Sequence, residues 1–141
     1  MIGVVLLVLP GCGGGGSQQL TKEQFASKAD AICVKGNERQ KELGSPTSIS
    51  DLVKVADKTR DILDDAISEL SKLKPPASEQ ATVDQWLAQV RLLTDDLKQI
   101  SDKAKDNDLK ALQAIAKTSQ GHNAEANALA TKLGMSVCNK H

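Results

Sequence analysis

Apolar residues recur along this chain in steps of three and four from Phe25 to Leu133, broken at three points by helix-stopping residues. The first run opens at Thr21, where Thr21 and Gln24 fit a capping box that satisfies orphan backbone amides. It carries Phe25, Ala29, Ile32 and Leu43, and Gly44-Ser45-Pro46 stops it. The second opens near Ser48 or Ser50 and places Leu52, Val55, Thr59, Ile62, Ala66, Leu70 and Leu73 in register. Pro75-Pro76 ends it, because proline lacks the amide and clashes with the preceding turn. The third, from Ser78, has the most regular stepping: Val83, Trp86, Val90, Leu93, Leu97, Ile100 and Ala104. The fourth, from near Asn107, runs through Leu109, Leu112, Ile115, Ser119, His122, Ala126, Leu129 and Leu133 to Gly134, placed as a C-cap.

This spacing predicts four helices of about 22 to 28 residues, roughly 33 to 42 Å each. Short connections make successive helices antiparallel. The expected fold is therefore all-α, an antiparallel up-down-up-down four-helix bundle. The first and fourth helices should be neighbours, with Met135 to Val137 folding back so that Cys138 approaches Cys33.

The start of the chain is of a different kind. Met1 to Pro10 has no charged side chain, and Ile2 to Leu9 is almost wholly apolar. A run of that length is short of the roughly 20 residues that span a bilayer, and it suits the apolar region of a signal peptide. Leu9-Pro10-Gly11-Cys12 resembles the lipobox of bacterial lipoproteins, in which a small residue precedes a cysteine that is acylated and becomes the mature N-terminus. Leu9, Gly11 and Cys12 match that pattern, whereas Pro10 departs from the small or β-branched residue usual there. The resemblance implies a lipidated Cys12 and a location outside the cytoplasm. Signals of this kind ordinarily open with Lys or Arg, so a longer basic beginning is expected upstream of Met1. The expected division is a signal peptide over 1–11, the lipidated cysteine with a Gly-rich tether over 12–20, and the helical domain over 21–141. Gly13 to Gly16 is not a phosphate loop, since no Gly-Lys-Ser/Thr follows.

Three cysteines make an odd count. With Cys12 used by lipid, Cys33 and Cys138 remain as a pair in an oxidising compartment. Two separate buried thiols are the alternative, and the position of Cys138 near a chain end that needs tying down favours a bridge. The bundle itself looks like a group of small, uncharacterised helical lipoproteins and secreted proteins of bacteria. That likeness rests on the cysteine of the first helix, the Leu73-Lys74-Pro75-Pro76 break and the terminal Leu133-Gly134 and Cys138. It implies no transferable activity.

Charge narrows the function further. Eighteen basic and 18 acidic residues cancel, which argues against a nucleic-acid binder, since that needs a basic face. Phe25 and Trp86 are the only aromatic residues, too few for a stacking platform. His122 and Glu125 lie three apart on one helix face, a pattern similar in those two residues to the helix of imelysin-like metal-uptake proteins. A metal needs three or four ligands, so the competing expectation is a seam histidine bonded to a neighbouring side chain. Asp102, Asp106, Asn107 and Asp108 lack the glycine and spacing of a calcium loop and read as helix-end chemistry. Asp64-Asp65 and Asp95-Asp96 point about 100° apart within each pair and are expected on solvated faces, with Arg60 and Asp64 pairing at i, i+4. No nucleophile constellation, haem-attachment motif or resident cofactor is evident. The expectation is a non-enzymatic, lipid-anchored binding or scaffold module whose partner is another envelope protein or a small ligand. Metal capture around His122 and Glu125 is the alternative.

Overall fold

In the computed structural model the described residues are 18–140. The expected signal peptide over 1–11, Cys12 and most of the expected tether over 12–20 lie outside the described residues. Four helices follow one another: α1 over Lys22–Leu43, α2 over Ile49–Leu70, α3 over Gln80–Lys105 and α4 over Leu109–Lys132. No strand occurs among the described residues.

The helix ends follow from their sequences. At the start of α1 the Gln24 amide donates to Thr21 Oγ1 at 3.2 Å and the Thr21 amide donates to Gln24 Oε1 at 3.0 Å, which completes the expected capping box. Ser48 caps α2 by accepting from the Asp51 amide, and Asp108 caps α4 by accepting from the Ala111 amide, each at 3.0 Å. Helix α3 begins after Ser78, not at it, because the chain leaving Pro75-Pro76 first makes a turn in which the Glu79 amide donates to the Pro76 carbonyl. Two left-handed residues close helices in the same way. At Gly134, φ +83°, the Met135 and Gly134 amides donate to Ala130 and Thr131. At Asn107, φ +54°, the Asp108 and Asn107 amides donate to Lys103 and Ala104. Both are Schellman turns, and both sit where glycine or asparagine tolerates positive φ.

Successive helices are antiparallel. Lys35 lies 3.9 Å from Glu69 and Arg39 2.8 Å from Asp65, so residue numbers rise on α1 as they fall on α2. Lys105 at the end of α3 faces Asp57 near the start of α2. Asp96 on α3 meets His122 on α4. The close backbone approaches are α1 with α2, α2 with α3, and α3 with α4. The expected direct neighbourhood of α1 and α4 is replaced by a gap: their Cα atoms nowhere come within 8 Å. The tail after α4 fills the lower part of that gap, and Cys138 is bonded to Cys33 through a disulfide with Cα atoms 5.4 Å apart.

The core is concentrated at this tail-closed end. Phe25 and Ala29 from α1, Val83 and Trp86 from α3, Ala130 from α4 and Leu133 from the tail are all 2% exposed or less. Each fully buried large side chain contributes about 1.5–3 kcal/mol by leaving water. Leu20 packs against the same cluster and its amide donates to the Lys74 carbonyl, so the folded part of the chain reaches back before Thr21.

Candidate functional site

The tail closes the bundle through one carboxylate. Asp30 stands one turn before Cys33 on the same face of α1. Its Oδ2 accepts from the Ser136 amide at 2.8 Å and the Ser136 hydroxyl at 3.0 Å. Its Oδ1 accepts from the amides of Val137 at 2.9 Å and Cys138 at 3.0 Å. Burial pushes the Asp30 carboxyl up, but these amides and the hydroxyl outweigh it and hold the group below its ordinary value. Disulfide and carboxylate together pin the tail against α1.

Above that clasp, a cavity of about 180 Å³ lies among the four helices. Its wall on α2 and α3 is mostly apolar, with Leu63 and Ala66 from α2 and Trp86, Val90, Leu93 and Leu97 from α3, and Thr59 of α2 is the one polar residue among them. Cys33 and Cys138 both line it, so the disulfide is part of the wall. Gln40, Ser119 and Asn123 face it from α1 and α4, the two helices that flank the gap. No lining residue is charged. Protein interiors are ordinarily close-packed, and these helices leave space here instead.

The cavity follows from residue choices. From Lys35 to Glu42, α1 carries no large apolar residue, so its second half has no seam to bury and is tied to α2 by ion pairs. Ala66 on α2 and Ser119 and Ala126 on α4 put small side chains at seam positions where leucine would fill the space. These residues were legible as core stations; that they leave a void was not.

His122 and Glu125 part company. His122 is half-buried, with Nδ1 2.7 Å from Asp96 Oδ2, whereas Glu125 is exposed. Asp96 itself is 4% exposed, which corrects the expectation that Asp95 and Asp96 both lie on a solvated face. The signal was present in the stepping, since Asp96 falls between Leu93 and Ile100 on the α3 seam. A buried carboxylate needs a hydrogen-bonding partner, and the seam histidine of α4 supplies one. With the carboxylate as acceptor, Nδ1 carries the hydrogen and the ring orientation is set. Among the described residues no three His, Cys, Asp or Glu side chains are gathered as a metal would need.

The acidic residues at the turn between α3 and α4 act as helix-end groups. Asp102 accepts from Lys98 at 2.7 Å, and Asp108 caps α4. Arg60 lies 3.7 Å from Asp61; the i, i+4 partner expected for it was Asp64. Comparison of the chain with protein-family models, with curated proteins and with solved structures finds no match.

Proposed function

We propose that this chain is a lipid-anchored, extracytoplasmic helical module that works by binding, without catalysis of its own. The observation that carries the binding reading is the cavity of about 180 Å³, lined mainly by apolar side chains with Thr59, Gln40, Ser119 and Asn123 among them. Ligand sites in bundles form in this way, between helices and with a few polar groups among apolar walls. The anchor is supported by Leu9-Pro10-Gly11-Cys12 and by cysteine usage: Cys33 and Cys138 are consumed by one bridge, which leaves Cys12 as the odd thiol. A bridge of that kind suits an oxidising compartment. Acylation at Cys12 supplies about 0.8 kcal/mol of membrane affinity per buried methylene, and more than one chain makes the anchoring stable.

Two measurements test the two halves. Membrane fractionation with intact-mass analysis should show acyl mass on the wild-type chain and its loss, with release to the soluble fraction, in Cys12→Ala. A Cys12→Ala chain that stays with the membrane at the wild-type mass rules the anchor out. Native mass spectrometry of the chain taken from its own envelope should reveal a retained small molecule or partner protein. A bare monomer in every preparation reduces the module to a spacer.

A further inference from the structure

We infer that the cavity takes a small neutral amphiphile, with a compact hydrocarbon body of about six carbons and one hydroxyl-type end turned toward the gap between α1 and α4. This rests on the binding reading above and specifies its ligand. Size sets the body. An apolar cavity of roughly 150 Å³ stays dry and accepts benzene, and the space here is of that order at about 180 Å³. Lining sets the chemistry. The leucines of α2 and α3 and Trp86 offer dispersion and burial of hydrocarbon, and Thr59 is the one polar residue on that wall. No charged residue stands on any wall, so an ionised group gains no counter-charge in the cavity and loses hydration as far as it is drawn below the gap. The amide and hydroxyl side chains of Gln40, Ser119 and Asn123 belong to the two helices beside the gap, so a hydroxyl can be matched there while the hydrocarbon lies deeper.

Trp86 makes the site observable. It is the only tryptophan, it is 2% exposed, and it stands on the cavity wall. The experiment uses the full chain carrying Cys12→Ala, free of detergent, titrated with cyclohexanol and separately with cyclohexanecarboxylate. Trp86 emission and titration calorimetry are the readouts. Cyclohexanol should give a saturable emission change and heat, and cyclohexanecarboxylate should bind about tenfold or more weakly. Ala66→Phe, which fills the space from α2, should remove cyclohexanol binding. Leu93→Ala enlarges the same space and should shift preference toward the bicyclic 2-decalol, and it keeps the test decisive if Ala66→Phe fails to fold. A linear, non-saturating response to cyclohexanol overturns the proposal. So does equal binding of the carboxylate, or unchanged binding in both a folded Ala66→Phe and Leu93→Ala. The two readings fail separately. A chain that carries a protein partner in native mass spectra but takes no cyclohexanol keeps its binding role and loses this ligand site.

Discussion

The two ends of the bundle are built on opposite principles. At the end closed by the tail, Phe25, Ala29, Trp86 and Leu133 are packed to near-complete burial, and the disulfide and Asp30 lock the tail over them. Toward the turn between α1 and α2, α1 turns polar, leans on α2 through Lys35–Glu69 and Arg39–Asp65, and stands away from α4. One sequence thus makes a base packed from all four helices and an upper half in which α2 and α3 still bury Ala56, Ser101 and Ala104 while α1 adds no large apolar side chain between Lys35 and Glu42.

The comparison breaks most sharply under truncation of apolar side chains. Phe25→Ala at the closed end should lose about 3–5 kcal/mol. Leu97→Ala, half-buried beside space already empty, should lose only about 1–2 kcal/mol. Urea unfolding monitored by circular dichroism measures both. Similar losses at the two sites would mean that the halves are packed alike.

Next comes the clasp. The bridge closes a loop of 105 residues in sequence separation. The chain-entropy account for a loop of that length gives up to ~4.7 kcal/mol, with measured bridges nearer 2–4. Reduction, or Cys33→Ser with Cys138→Ser, should therefore lower the melting temperature strongly, as calorimetry with and without reductant will show. An unchanged melting temperature would mean that the tail is held without the bridge.

Asp30 gives the third effect. Asp30→Asn leaves one acceptor oxygen where two carboxylate oxygens served four donors, and should destabilise by about 2 kcal/mol near neutral pH. The folded carboxyl is held below its ordinary value. Its contribution is thus complete above the unfolded value of about 3.9 and is lost as pH falls through the lower folded value. Acid titration of stability should show wild type losing its advantage over Asp30→Asn below about pH 4. A difference constant down to strong acid would separate the carboxylate from the tail's anchoring.

The smallest effect sharpens the contrast from the other side. A methyl group at Gly121, midway along α4, meets nothing within 4 Å. Gly121→Ala should stabilise by about 0.5–1 kcal/mol through helix propensity alone. A loss of stability, read by the same urea unfolding, would reveal crowding on that face of α4.

Much of this architecture was legible in the stepping of apolar residues. The four helices, the capping box at Thr21, the stop at Pro75-Pro76 and Gly134 as the C-terminal turn follow from local chemistry, the pairing of Cys33 with Cys138 follows from the cysteine count, and the structure has them all. Asp96 was misplaced because neighbouring acidic residues look alike in a sequence, although its place between Leu93 and Ile100 marked it for burial. Asp30 passed unnoticed because its four donors include three backbone amides from a tail more than one hundred residues away. The cavity was hidden for a related reason. Its wall residues read as ordinary core, and an empty space belongs to no residue.

By itself the sequence determined which segments are helical and where they end, because capping, proline and glycine act within a few residues of themselves. It also determined that the second half of α1 could not bury an apolar face, since Lys35 to Glu42 supplies none. Only the tertiary structure decided that the bundle answers this shortage by separating α1 from α4, sending the tail into the lower gap and leaving the upper core unfilled. The physical reason is packing: whether small and polar side chains close up or leave a void depends on what the other three helices place opposite them.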